Sequence, residues 1–147
     1  MDNWVRYNTA ACGNAADNNH LEVLKYLHEK GCHLGETYIF VDPVRKGYLE
    51  IVKYLHENGC PLDDSLCDDA AINGQLEVLK YLHKNGCPLT SRICFYAAFN
   101  DHLEILIYLH ENGCLWDKNT CLYATRGGHF EVVKYLHENG CDCDCSK

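Results

Sequence analysis

The run His20-Leu21-Glu22-Val23-Leu24-Lys25-Tyr26-Leu27-His28-Glu29-Lys30-Gly31-Cys32 returns four times. Later copies open at Tyr48, Gln75, His102 and His129 and close on Cys60, Cys87, Cys114 and Cys141. Successive offsets are 28, 27, 27 and 27 residues. A single-core globule has no use for a fixed period. A stack of like units does, because one unit cannot bury its apolar face alone and its neighbours complete it. The period predicts a quasi-one-dimensional array, and every other reading of the chain has to fit inside it.

Each copy reads as a helix. Leu76, Val78, Leu79, Tyr81 and Leu82 make a broad apolar face, while Glu77, Lys80 and Lys84 point outward. Gly86 stops the helix, as glycine does just past a C-terminus, and Pro61 and Pro88 forbid continuation in their repeats. A shorter segment precedes each copy: Cys12-Gly13-Asn14-Ala15-Ala16, Phe40-Val41-Asp42-Pro43-Val44, Cys67-Asp68-Asp69-Ala70-Ala71, Cys94-Phe95-Tyr96-Ala97-Ala98 and Cys121-Leu122-Tyr123-Ala124-Thr125. Its small residues allow close helix approach. Asp63, Thr90 and Asp117 stand where a cap belongs, and Asn73-Gly74, Asn100-Asp101 and Gly127-Gly128 supply the tight turn into the second helix. Pro43 predicts a short or bent first helix in the second repeat.

The run from Ala70 to Cys87, with its alanine pair, turn, Leu-Glu-Val-Leu-Lys-Tyr-Leu helix and closing glycine, resembles an ankyrin repeat, and the resemblance extends from about Thr9 to Cys141. The Tyr-Leu-His-Glu-Asn-Gly-Cys form is similar to short ankyrin-like repeats of large DNA viruses of amoebae and of some protists. Ankyrin repeats run about 33 residues with a Thr-Pro-Leu-His motif. That motif is absent at Ser65-Leu66-Cys67-Asp68. The shortfall lies where the family carries β-hairpin fingers. The expectation is an all-α ankyrin-like helix–turn–helix solenoid of five stacked repeats, with shortened loops lacking those fingers. The repeats fall near 8–34, 35–62, 63–89, 90–116 and 117–144 of one domain, 1–147.

The formal charge of −8, with no Lys/Arg cluster, argues against nucleic acid. No apolar run approaches the roughly 20 residues of a membrane span, and no basic-then-apolar leader opens the chain. The expected place is the cytoplasm, or else the nucleus. Eleven cysteines in such a chain read mostly as reduced, small core residues. Bridges between ladder cysteines such as Cys60 and Cys87 are not expected, because equivalent residues in adjacent repeats stand about 10 Å apart.

The histidines His28, His56, His83, His110 and His137 each lie four residues before a ladder cysteine. Recurrence in every unit points to a structural imidazole bonded to backbone rather than to a metal ligand. The tail, with His137, Cys141, Cys143 and Cys145, gathers soft ligands and is the one place where metal could bind. No nucleophile, base and orienting group occur as a unique set, so neither enzymatic activity nor a cofactor is expected.

The resemblance implies that the first helices line a concave face that holds another protein. Their non-framework positions read Asn14 and Asp17, Asp42 and Arg45, Asp69 and Ile72, Tyr96 and Phe99, Tyr123 and Arg126. The last eight of these are the candidate partner-binding residues. The late end is aromatic, with Phe95 and Phe99 each able either to join the patch or to pack between repeats. Tyr96 and Tyr123 are expected to be exposed. A metal- or redox-responsive Cys/His-rich scaffold is the alternative. Repeat 5 keeps the apolar pattern of interior copies, so weak end-to-end self-association through it is expected, with Leu136 on the open face.

Overall fold

The computed structural model describes residues 2–143, and side chains from residue 10 onward. Among the described residues there are ten α-helices and no strand: α1 (Asp2–Asp17), α2 (Leu21–Glu29), α3 (Val41–Lys46), α4 (Leu49–Glu57), α5 (Ser65–Ile72), α6 (Leu76–Lys84), α7 (Ser91–Phe99), α8 (Leu103–Glu111), α9 (Lys118–Arg126) and α10 (Phe130–Glu138). Odd helices are the first members of their repeats and even helices the second. The loops between repeats carry no hairpin finger, as their shortness predicts. Among the described residues no helix is long and apolar enough to cross a membrane.

Pro43 has the effect its ring requires. A 3₁₀ turn at Thr37–Phe40 leads into α3, which has only 6 residues. Proline lacks the N–H that would extend the helix backward, so the chain tightens before it instead. Phe40 takes the place that cysteine occupies in the other first helices, and it is fully buried.

One continuous core runs along the stack. In α6 it takes Val78, Leu79 and Leu82, in α8 Ile105, Leu106 and Leu109, and between them lie Ala70, Ala71, Ala97 and Ala98. The alanines let successive first helices approach more closely than successive second helices do. That difference in spacing bends the array, so the first helices form its inner, concave side. Each fully buried leucine is worth about 1.5–3 kcal/mol relative to exposure.

The turns between paired helices repeat one geometry with different residues. Asn19, Gly47, Gly74, Asp101 and Gly128 all have positive φ, between 59° and 78°. The amide that follows closes back onto the first helix, as Gln75 N–H does on Ala70 O (2.9 Å). At Gly74 a side chain would also meet His102, 2.8 Å from a built Cβ, so glycine serves both the dihedral and the space. Second helices end at Gly31, Gly59, Gly86, Gly113 and Gly140, all left-handed. The asparagine before the glycine, as in Asn85, donates from Nδ2 to the carbonyl of Tyr81, four residues earlier (2.8 Å).

The expected caps divide. Asp117 caps α9, accepting from Thr120 N–H at 3.0 Å, whereas Asp64 holds the cap position of α5 and Asp63, one residue earlier, accepts from Ser65 N–H at 2.8 Å. The Ser65 hydroxyl donates to the same carboxylate oxygen, and this bond, then the amide bond, holds the Asp63 carboxyl below its ordinary range. Thr90 holds the cap position, but its buried hydroxyl oxygen has no partner within the structure, so it does not cap as expected.

Candidate functional site

The outer layer of second helices is tied together by a ladder. His28 Nδ1 shares a hydrogen bond with Tyr54 Oη at 2.7 Å, His56 with Tyr81 at 2.7 Å, His83 with Tyr108 at 2.7 Å and His110 with Tyr135 at 2.9 Å. The rings of the first pair meet edge to face. This corrects the expectation of a backbone partner. The imidazole reaches across to the next repeat and meets a phenol two positions off its own register. Burial pushes all four tyrosine hydroxyls above their ordinary range, so they keep their protons in the fold.

A second set of ties runs the opposite way. Gln75 Nε2 donates to Arg45 O (2.9 Å), His102 Nε2 to Ile72 O (3.0 Å) and His129 Nε2 to Phe99 O (2.9 Å). Lys46 Nζ donates to Asp17 O (2.9 Å). Each acceptor is a carbonyl in the last turn of the preceding repeat's first helix, where orphan carbonyls need donors. The sequence pattern marked Gln75, His102 and His129 only as the openings of the second helices, and Lys46 went unmarked.

The cysteines sort by repeat. Cys12 pairs with Cys32 and Cys67 with Cys87 as disulfides, with Cα atoms 6.8 and 6.3 Å apart. The expectation of free ladder thiols therefore fails for Cys32 and Cys87. Their partner is not the ladder cysteine of the next repeat but the first-helix cysteine of their own, 20 residues back and within bridging reach. No bridge joins two repeats among the described residues. In repeat 2 Phe40 replaces the partner, and Cys60 stays a buried thiol whose ionisation burial disfavours. In repeat 4 Cys94 and Cys114 remain buried thiols, and their closeness, with burial, pushes the Cys94 thiol up.

The candidate partner-binding residues form two clusters on the inner face. In the early cluster Arg45 donates from Nε and Nη2 to Asp69 Oδ1, both at 3.1 Å. Asp42 pairs with Lys46 at 3.6 Å. Burial, then the charge of Asp42, raises the Asp17 carboxyl. These charges largely satisfy one another. Ile72, half-buried on α5, lies beyond them.

The late cluster is aromatic. Phe95 stacks on Phe99 with centroids 5.7 Å apart, meets Tyr123 edge to face at 5.4 Å and touches Tyr96 at 5.8 Å. Arg126 lies over Tyr123 at 5.6 Å, a cation–π distance. Phe99 is 49% exposed and Tyr123 38%. Tyr96 is half-buried, less open than expected. Beside this patch a hollow of about 350 Å³ opens between Arg92, Phe95, Trp116 and Tyr123. Arg92 and Trp116 were not among the expected residues. Trp116 had a visible signal, since the same position holds Leu34, Leu62 and Leu89 in other repeats.

The expected tail cluster forms differently. Cys141 turns inward, its sulfur 3.7 Å from Asp117 O, because it keeps the ladder register of Cys114. Cys121 of α9 takes its place beside His137 and Cys143, while Cys145 lies outside the described residues. Leu136 is fully buried and not on an open face. The apolar surface left open in repeat 5 is instead Phe130, 72% exposed, with half-buried Val133 beside it.

No curated protein matches the chain. A family model described as ankyrin repeats (3 copies) matches residues 67–147. With this match, the paired helices, the bent stack and the recurring turns agree, and the chain belongs to the ankyrin repeat family.

Proposed function

We propose that this chain is a non-enzymatic scaffold that grips a protein partner on its inner face, centred on Phe99, Tyr123 and Arg126. Ankyrin repeats are generally protein–protein interaction modules. The observation that carries the finer reading is the aromatic cluster itself. Phe99 and Tyr123 expose much of their surface at positions where other repeats hold Arg45, Ile72 or Arg126 and Asn14, Asp42 or Asp69, so the framework does not require them. Aromatic residues and arginine are favoured interface anchors. The hollow beside them suits one apolar or aromatic anchor, and Arg126 favours an acidic neighbour to it.

Selection of displayed peptides on the full chain tests this reading. Binders should share an aromatic or large aliphatic anchor, and Phe99→Ala or Tyr123→Ala should each cost about 2 kcal/mol or more in binding. Binders indifferent to both substitutions would place the interface elsewhere. A weaker contact between copies is proposed at the ends of the stack. Phe130 at one end and Val23 and Tyr26 at the other, 50% and 60% exposed, are the unpaired apolar positions of second helices. Sedimentation over a wide concentration range should show weak association that Phe130→Glu removes, and a strict monomer would overturn it.

A further inference from the structure

We infer that, in its reduced form, the C-terminal end of the stack is a zinc-class metal site built from Cys121, His137 and Cys143. The ligand atoms of these three residues lie within 4.8 Å of one another, and they are the one such group among the described residues. His137 Nε2 stands 3.2 Å from Cys121 Sγ and 3.0 Å from Cys143 Sγ. Two sulfurs and an imidazole form the soft-to-borderline set that selects zinc over magnesium or calcium.

Three departures from the repeat meet at this point. In the four earlier repeats the ladder histidine directs Nδ1 to a tyrosine hydroxyl, whereas His137 directs Nε2 at two sulfurs. In repeats 1 and 3 the first-helix cysteine meets the ladder cysteine 20 residues on, whereas Cys121 meets Cys143, and Cys141 keeps the ladder place. The earlier pairs are closed from solvent, whereas His137 is exposed and Cys143 half-buried, so an ion has a way in.

Cys121 and Cys143 are joined in this structure, so metal and disulfide are alternative states of one site. A dithiol reductant supplies two electrons and two protons, the S–S bond breaks, and two thiols form while the reductant closes to its own disulfide. On binding Zn²⁺ each thiol releases its proton to solvent and forms a metal–sulfur bond. His137 gives the Nε2 lone pair and carries its hydrogen on Nδ1. Solvent or a further donor completes the tetrahedron. The metal would clamp the segment after α10 onto α9 and so close the end of the array. This site is independent of the aromatic patch.

The test is anaerobic titration of the fully reduced full-length chain with Co²⁺, followed by displacement with Zn²⁺. The expected result is one equivalent bound with a sulfur-to-cobalt charge-transfer band. Loss of an outer-shell support already costs roughly 10–100-fold in affinity, so Cys143→Ser and His137→Gln should each weaken binding by more than that. Circular dichroism verifies that both fold. Cys94→Ser, in the separate thiol pair of repeat 4, should bind as the parent does. No thiolate band at one equivalent, or a band unchanged in Cys143→Ser, overturns the proposal, as does a band lost only in Cys94→Ser.

Discussion

The second helices and the first helices of this array are made by the same repetition but use it differently. Along the outer layer sequence and contacts repeat together: the same histidine meets the same tyrosine from one repeat to the next. Along the inner face the backbone repeats while the side chains change, from paired charges at Arg45 and Asp69 to stacked rings at Phe95 and Phe99. Positions that hold a neighbouring repeat are held constant by it, because each contact must be remade at the next unit. Positions that face outward from the inner layer carry no such demand and are free to suit a partner.

Substitutions can break this contrast. The largest effect is expected from Leu109→Ala in the buried outer-layer core. It should cost about 2–5 kcal/mol in chemical denaturation, and coupling between neighbours should spread the loss into adjacent repeats. Tyr123→Ala should instead cost less, about 0.5–1.5 kcal/mol for the ring pairing it loses with Phe95, while it damages binding. A Tyr123→Ala chain that unfolds as readily as Leu109→Ala would erase the distinction between the two layers.

The ladder gives a smaller and pH-dependent effect. Tyr81→Phe removes one hydrogen bond to His56 and should cost about 0.5–1.5 kcal/mol. Because burial raises the Tyr54, Tyr81, Tyr108 and Tyr135 hydroxyls above the ordinary 10.0, their contribution is complete below pH 10 and is lost as pH rises through the raised values. The stability of Tyr81→Phe should therefore fall less steeply than the parent's in that alkaline window. Buried Cys60 and Cys141 shift the same way from 9.0, but they are common to both chains and cancel. Parallel curves would show that the Tyr81 hydroxyl is not held protonated by the fold. Smallest of all, Arg45→Ala breaks a partly exposed ion pair with Asp69 and should change stability by roughly 0–1 kcal/mol, less at high salt. A larger loss would mean that the early end of the inner face is framework after all.

What was legible in the sequence follows the same division. Period, helix faces, turn residues and the break at Pro43 are local, and local spacing reveals them. The late aromatic group was also visible, since Phe95, Tyr96 and Phe99 share one helix and Tyr123 lies one period from Tyr96. The partner of His56 was not visible. A helical wheel shows which way an imidazole leaves its own helix but not which residue the next repeat sets opposite it. The same gap hid the back-bonds of Gln75 and His102, and it hid the bridge from Cys67 to Cys87, which depends on how the two helices of a repeat are rotated. Leu136 was misjudged because the helical pattern alone does not show that repeat 5 buries it completely, and the open end shows Phe130 instead.

The two opposed sets of ties give the array a freedom in length. His28, His56, His83 and His110 each reach forward by one unit, and Gln75, His102 and His129, with Lys46 in repeat 2, reach back by one unit, so none of these ties spans two boundaries. Removing or duplicating one whole interior unit reconnects every donor to an equivalent acceptor. Removing any other length strands a phenol, an imidazole and a helix-end carbonyl together. Copying errors that respect the period therefore pass through this architecture nearly unopposed, and the reach of the binding face can change by one increment at a time without a new core having to be found.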